Sequence, residues 1–567
     1  MSHLNIERST LSLAVAAIVA ASHGAFAQTP PNIGDVLQQL PTPAVQPQAV
    51  PALPAIGNRP IEPPLQALPG GPTMEIKAFE LVGNREIASG VLMPMVTGDV
   101  GKRMSLSELE TLAQKITKYY RIQGYFVARA YVPAQEVKDG TIRIRVVEGN
   151  YGQFKLHNKS LVRDDIVQGL LDDVKTYDIV SLDTLERAML NINDTPGVKV
   201  TRADVMPGEK VGTSDFAVDT ATTPAASGFV MLDNYGSAFT GINRLSFNAD
   251  WNSPTGRGDR LSVSGLTSDH GGIVNGRAAY SALLSSNGTR AEVSMGRTNY
   301  ALGSTYAALD AQGTASIADL TLSYPLRRIS AQTIETSLNL AYKVLEDRIQ
   351  STNTVTPKDS KLVTAAISLR DERNFLGADG LTQANAAVTF GEILFKDAAA
   401  LATDASAVNT AGTFSKLVLN LSRVGLLPEN FTLTTGFKLQ QVLKDKNLDG
   451  SERMAVSGSG SVMGYPSGEL SGSNAALIRL ELSRPLPVWM VGLQSSWQVF
   501  GNWGQASAAK PVTASDYNSK ISDVGLGWTG NYQNGFVKIQ LAHRLAGEPS
   551  SEPYPANKLL VQAGLLF

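Results

Sequence analysis

The stretch "RLSFNADW", Arg244–Trp251, places Leu245, Phe247, Ala249 and Trp251 on one face of an extended chain and Arg244, Ser246, Asn248 and Asp250 on the other. Alternation kept up over eight residues marks a β-strand with one apolar and one polar side. The same division recurs in "FTLTTGFKLQ" (Phe431–Gln440), "LIRLELS" (Leu477–Ser483) and "VKIQL", where Val537, Ile539 and Leu541 oppose Lys538 and Gln540. From Gly228 to Phe567 the sequence offers no convincing helix, only such runs separated by polar loops like "TSDHGGIVNG" (Thr267–Gly276). Two architectures alternate in this way. One is a soluble sandwich whose outer faces are wet; the other is a closed barrel, apolar toward lipid and polar toward a lumen. The length of the runs favours the barrel. At about ten residues per strand, residues 228–567 hold roughly sixteen strands of a transmembrane antiparallel β-barrel, wide enough for an aqueous channel.

The ends agree with export. Arg8, an apolar run from Leu11 to Ala21 and the small-residue site at Ala25–Ala27 read as a signal peptide, residues 1–27. That run is too short for a membrane-spanning helix, and no later stretch is long and apolar enough. The chain has no cysteine, hence no disulfide or thiolate metal site, and a net charge of −2 gives no reason to expect nucleic acid. In the terminal "KLLVQAGLLF" (Lys558–Phe567), Leu559, Val561, Ala563 and Leu565 share one face. Leu565 and Phe567 form the ending by which outer-membrane barrels commonly finish, although an edge strand of a soluble sheet would look similar.

Between the ends lie three further segments. Residues 28–73 are proline-rich and read as an extended tether. Its one helical stretch, residues 32–40, gathers Val36, Leu37 and Leu40 on one side and would be about 13 Å long, under half a bilayer core. Residues 74–149 and 150–222 then form a repeat. "SLSELETLA" from Ser105 matches "SLDTLERAM" from Ser181, and "GYFVARAYVP" from Gly124 matches "GVKVTRADVMP" from Gly197. Each unit reads strand, helix, helix, strand, turn, strand, enough for a small α+β domain. As a plain packing module it would use Leu106, Leu109 and Ile116 as core.

No chemistry of catalysis is visible. Of five histidines two lie in the signal peptide, and His157, His270 and His543 are scattered without a Ser/His/Asp or metal-ligand spacing. The one Gly-Lys pair, Gly101-Lys102, lacks the remaining P-loop residues. No enzyme activity, catalytic residue, cofactor or metal is expected.

At Leu232–Val263 the chain resembles the outer-membrane transporters of two-partner secretion (type Vb), the haemolysin and filamentous-haemagglutinin exporters. Their first-hairpin pattern is matched by Asp233, Asn234, Gly236, Thr240, Gly241, Arg244, Pro254, Gly256, Gly258 and Asp259. The repeats resemble that family's paired polypeptide-transport-associated (POTRA) domains, and the tether its N-terminal plug region. The resemblance implies a barrel in the outer membrane of a Gram-negative bacterium, inserted by the barrel assembly machinery and held in lipid. It would export an unfolded exoprotein captured by periplasmic POTRA domains. An assembly factor of the same superfamily and a diffusion porin are the alternatives.

The family also carries Val-Arg-Gly-Tyr in a loop folded back into the lumen, its arginine paired with the aspartate of a Phe-x-Asp-x-Gly motif on the inner wall. In "SGSGSVMGYPSG" (Ser457–Gly468) the first motif is matched by Val462, Met463, Gly464 and Tyr465, and the second by Phe500, Asn502 and Gly504. Both charged partners are missing together. Loss of one alone strands a buried charge, at about 3–5 kcal/mol, whereas loss of both can be neutral. Docking of the loop through Met463 packing and Asn502 hydrogen bonding is therefore the expectation, with a surface loop at Ser457–Gly468 that does not dock as the alternative.

Overall fold

A computed structural model describes residues 31–40, 57–58, 71–373, 379–488, 490–512, 518–549 and 555–567. The expected signal peptide and most of the tether lie outside these residues.

The tether contributes two described pieces. Helix α1 (Ile33–Leu37) starts at Asn32, whose side chain accepts from the N–H groups of Gly34 and Asp35 while the Asp35 carboxylate accepts from the Asn32 N–H. This reciprocal cap lets so short a helix form. Strand β1 (Gly57–Asn58) follows.

The first module contains β2 (Thr73–Glu75), β3 (Ala78–Val82), α2 (Ser89–Leu92), α3 (Pro94–Thr97), β4 (Arg103–Ser105), α4 (Leu106–Ile122), β5 (Arg129–Tyr131) and β6 (Thr141–Val147). Ser105 and Glu108 cap α4 reciprocally, and Leu109, Leu112, Ala113, Ile116 and Tyr120 turn one face to the sheet β3-β6-β5. Leu106, expected in this core, is half exposed at the first position of α4, and the buried face of the helix begins at Leu109.

The second module contains β7 (Asn150–Lys159), α5 (Asp164–Asp172), α6 (Leu182–Asn193), β8 (Lys199–Pro207) and β9 (Thr213–Ala221). Its sheet order is β1-β8-β9-β7, and Phe154, Leu170, Leu185, Met189 and Phe216 fill the space beneath the helices.

The rest of the chain is a closed antiparallel barrel of sixteen strands. Its first half runs β10 (Ala226–Asp233), β11 (Arg244–Asn252), β12 (Arg260–Ser268), β13 (Ile273–Leu283), β14 (Arg290–Ala301), β15 (Ala311–Ile329), β16 (Gln332–Ile349) and β17 (Thr354–Asp371). After β18 (Gly380–Phe395) comes helix α7 (Ala398–Ser406), then β19 (Gly412–Leu427) and β20 (Phe431–Val442). The short pair β21 (Met454–Ala455) and β22 (Ser471–Gly472) lies in a loop outside the barrel ladder. Strands β23 (Asn474–Pro485), β24 (Leu493–Ser507), β25 (Ser519–Tyr532), β26 (Gly535–Arg544) and β27 (Asn557–Leu566) complete the wall.

Helix α7 corrects the expectation of a helix-free C-terminal part. Asp397 accepts from the Ala400 N–H, and an alanine-rich turn with a capped start is helical even in a surface loop.

The wall is inside out relative to a soluble sheet. Leu245, Phe247 and Trp251 are 41%, 43% and 55% exposed, while Arg244 and Ser246 between them are 4% exposed. Apolar side chains that face outward around a closed ladder need lipid as their solvent. The seam joins β10 to β27, Phe229–Asp233 pairing with Leu566–Gln562. Asn234 extends it, donating to the Leu559 carbonyl and accepting from the Val561 N–H, and Gly228 and Phe567 exchange two main-chain bonds beyond it. Leu565 and Phe567 are exposed on the outer surface, and the Phe567 ring lies over Gly228, where a Cβ would stand 2.7 Å from it.

The second module is seated on one rim of the barrel. Arg328, at the end of β15, holds the carboxylate of Asp194 by two bonds of 2.6 and 2.8 Å, and the Ser330 N–H donates to Glu186. The turn 253–259 meets the module too, through the Arg163 N–H bond to the Gly256 carbonyl. Gly258, at φ +67°, passes so near Thr195 that a Cβ would lie 2.1 Å from its methyl. Asp259 tightens this turn, accepting from the N–H groups of Thr255 and Arg257 and from the Tyr280 hydroxyl.

Candidate functional site: an occupied lumen

Two pieces of the chain fill the barrel. The first is α1. The Ile33 N–H donates to Asp347 Oδ1 at 2.7 Å, and Ile33 and Val36 pack on Tyr300, Ala315 and Leu345. Those wall residues alternate with outward-facing Val293, Met295, Val344 and Tyr342, so they point into the lumen. Just after the helix, the Gln39 carbonyl accepts from Arg244 Nη1 at 2.8 Å and its side-chain oxygen from the Thr240 hydroxyl. Arg244 is itself fixed by Asp233 through two bonds of 2.8 and 3.3 Å, with both side chains buried. In the first hairpin Gly236 is packed so closely on the Gly241 carbonyl that a Cβ would lie 1.9 Å away, and Gly241 adopts φ +95°. Small residues there let the hairpin end fold tightly beside Thr240.

The second piece is the loop between β20 and β23, residues 443–473. Asp449 accepts from Lys358 Nζ at 2.6 Å, and Glu452 accepts from Lys343 at 2.6 Å and Lys416 at 3.0 Å, all three lysines belonging to the inner wall. Burial works against charge on both carboxyls, but Lys358 over Asp449 and Lys343 with Lys416 over Glu452 hold them below the usual carboxylate range. The loop also grips α1. Gln38 Nε2 donates to the Gly450 carbonyl at 2.5 Å, and a Cβ on Gly34 would stand 2.1 Å from the Ser451 nitrogen. Asp35 is half-buried at this junction, and desolvation there pushes its carboxyl above the ordinary value, with Arg453 offsetting part of the shift.

The tip of the loop carries the four residues singled out in the sequence. Val462, Met463 and Tyr465 are buried. Met463 packs on Phe500, Ala542 and Leu560. The Tyr465 hydroxyl donates to the Ala546 carbonyl at 2.9 Å, its carbonyl accepts from Lys558, and burial pushes its phenol up to about 12. Phe500, Asn502 and Gly504 form the facing wall with period two. Gly504 leaves the room that Val456 and Val462 fill, since a Cβ there would be 2.9 Å and 3.1 Å from them.

Asn502 bonds to the wall, not to the loop. Its Nδ2 donates to Asp523 Oδ1 at 2.7 Å, and Asp523 Oδ2 accepts from the Gly464 N–H at 2.6 Å. The carboxylate absent from β24 is thus supplied by β25, from the residue directly opposite Asn502 in the ladder. Gly464 fits because a Cβ would press within 3.1–3.2 Å of Asp523 and Arg544. The sequence reading missed Asp523, and likewise the Asp449/Glu452 anchors. Inward lysines at Lys343, Lys358 and Lys416 opposite the acidic "NLDGSE" (Asn447–Glu452) were the available signal for the anchors. Among the described residues no cluster of His, Cys, Asp and Glu could hold a metal ion.

Comparison with known proteins gives a consistent result. The family described as haemolysin secretion/activation protein ShlB/FhaC/HecB matches residues 212–530, and the POTRA domain of ShlB type matches residues 74–149. The heme/hemopexin transporter protein HuxB of Haemophilus influenzae (strain 86-028NP) is 29% identical over 448 residues, covering 78% of each chain. The outer membrane transporter CdiB of Escherichia coli is 22% identical over 433 residues, 73% of this chain and 69% of that one. Among solved structures, CdiB from Escherichia coli superposes with a TM-score of 0.73 at 18% identity, over 90% of this chain and 93% of that one. CdiB from Acinetobacter baumannii gives 0.63 at 14% identity, over 99% and 97%.

Proposed function

The chain belongs to the haemolysin secretion/activation family of outer-membrane two-partner secretion transporters, and from that premise we propose that it carries one cognate exoprotein, unfolded, from periplasm to cell surface. The exoprotein is captured on the periplasmic modules by backbone pairing and passes through the lumen once α1 and the loop 443–473 give way. Folding outside the cell supplies direction, as no nucleotide site is needed for it. The outer band of Leu, Phe and Trp faces outer-membrane lipid, into which the barrel assembly machinery inserts it.

One observation carries this reading. The lumen of a sixteen-stranded barrel is filled by two pieces tied to the wall through side-chain bonds and small packed contacts, on a chain whose second module is bonded to the barrel rim. A diffusion porin has no use for that module, and a lateral gate for assembling barrels does not call for an occupied lumen.

Deleting the gene tests the proposal. A large polypeptide should move from the medium or cell surface to the periplasm, and plasmid-borne transporter should restore it. No redistribution of any exported polypeptide sinks the proposal. Deleting residues 29–72 should raise ion conductance in planar bilayers, and unchanged conductance removes α1 as a plug.

A further inference from the structure

The outer wall carries a row of side chains for which transport has no use. Along the ladder Arg484 on β23 stands opposite Trp497 on β24, and Trp497 opposite Trp528 on β25. Phe431, the first residue of β20, flanks Arg484 on the other side, because Thr432 pairs with Ser483. By the period of two, Arg484, Trp497 and Trp528 share the face of the outward Ile478, Val499 and Leu526. Arg484 is next to the last residue of β23, at the end of the wall where Arg328 holds the second module. The row therefore lies at the level of the periplasmic leaflet.

Two polar groups in this row have no partner in the protein. The Arg484 guanidinium lies over the Phe431 ring, 4.9 Å from its centre, and Phe431 meets Trp497 edge to face at 6.0 Å. Stacking on a ring leaves the guanidinium fork free to donate. Among the described residues it makes no hydrogen bond and no ion pair. Ser495 shares the same outward face, two residues before Trp497 and opposite Gly530. The Trp528 ring covers Gly530, where a Cβ would stand 2.4 Å from it. Ser495 is 8% exposed, and its hydroxyl has no hydrogen-bond partner. A buried donor without an acceptor costs free energy, so one kept in a folded wall calls for an account. An unpaired cation and a buried hydroxyl among three aromatic rings, at headgroup level, lack one thing in common: an anionic acceptor carried on apolar chains.

We infer that Arg484 and Ser495 bind the phosphodiester of a phospholipid in the periplasmic leaflet, with Phe431, Trp497 and Trp528 packed on its glyceryl group and upper acyl chains. A planar fork suits phosphate oxygens better than a point charge does. The ligand is a lipid and not a free anion, because an anion alone would leave the three rings uncovered. The inference depends on the place of the barrel in the membrane and is independent of what the pore carries.

Native mass spectrometry of the full chain in detergent, titrated with phosphatidylglycerol, tests the site. Arg484→Gln should weaken binding of the first lipid about ten- to hundredfold, the loss expected for charge-assisted bonds. Arg484→Lys, which keeps the charge without the fork, should lose about threefold or more. Ser495→Ala should lose about three- to tenfold. It should leave heat-modifiable folding intact, since it removes a hydroxyl that nothing in the protein satisfies. Arg297→Gln removes an exposed guanidinium from β14 toward the opposite end of the wall and should bind as wild type. Dioleoylglycerol, which has no phosphate, should bind all variants equally. Soluble glycerophosphoglycerol at the same concentration should not compete. Unchanged affinity in Arg484→Gln, or an equal loss in Arg297→Gln, overturns the site. Unchanged affinity in Ser495→Ala removes the hydroxyl from it, full affinity in Arg484→Lys overturns recognition by the fork, and competition by the soluble headgroup overturns a lipid as the ligand.

Discussion

The main-chain N–H of Gly464 donates to Oδ2 of Asp523 at 2.6 Å, while Oδ1 of the same carboxylate accepts from Asn502 at 2.7 Å. A single side chain thus joins the loop tip to two adjacent wall strands. Bonds to a charged acceptor contribute about 1.5–3 kcal/mol each, and a donor left buried without its acceptor costs a comparable amount. Asp523→Ala should therefore raise the population of undocked loop roughly ten- to hundredfold. Val462→Cys, buried in the docked loop, reports it. Maleimide labelling of that cysteine should accelerate by this factor in the Asp523→Ala background. Equal labelling rates would show that the carboxylate does not hold the tip.

Gly504 gives an independent check on the same dock. An added methyl would meet Val456 at 2.9 Å and Val462 at 3.1 Å. Overpacking of this kind costs about 1–3 kcal/mol. Gly504→Ala should speed labelling of Met463→Cys five- to hundredfold, roughly, and Val456→Gly should restore most of the slow rate by removing the Cβ that stands 2.9 Å away together with its methyls. No rescue by Val456→Gly would place the strain elsewhere.

Much of this architecture is legible in the sequence, for reasons that differ by element. Side-chain alternation exposes the barrel because lipid makes it simple: every second residue on "RLSFNADW" is apolar, and the polar partners line the lumen. The start of α4 is legible from Ser105 and Glu108, whose mutual cap is a local signal. Asp523 is not, because its place opposite Asn502 follows from the register between β24 and β25, which neither strand states alone. The exposure of Leu106 escapes for a related reason, since periodicity gives the face of a helix but not how much of that face is covered by its neighbours. The pairing of Gly57–Asn58 with β8 needs no side-chain pattern and leaves none to read.

Asp233 and Arg244 are matched in charge, buried, and placed so that Arg244 also holds the Gln39 carbonyl. Removing one member strands the other, at about 3–5 kcal/mol, whereas an apolar pair of similar volume can be neutral. Asp233→Leu and Arg244→Met singly should lower the yield of folded, heat-modifiable barrel in outer membranes, and the double variant should recover most of it. The double variant still lacks the bond to Gln39. Its conductance should stay above wild type even where its yield is normal. Recovery of both readouts together would detach this pair from the hold on α1.

The docking of α1 should also depend on pH, through Asp35. Burial among loop and wall groups raises its carboxyl above the ordinary value of 3.8, Arg453 and Lys358 acting against the shift and Asp449 with it. A docked helix with a raised pKa binds more protons than a free one, so docking is strongest below the free-chain value. It weakens as pH climbs through the docked value and levels off above it. The anchors Asp449 and Glu452 have the opposite sign: their depressed values make the loop lose its hold only as pH falls below the ordinary carboxylate range. The two effects therefore occupy different windows. From pH 4 upward the open fraction of the wild type in planar bilayers should rise and then plateau. Asp35→Asn, which keeps an acceptor for the Asn32 N–H but cannot ionise, should give a flat trace at the low-pH level. A wild-type slope retained in Asp35→Asn would assign the titration to another group and leave the helix cap as the only role of Asp35.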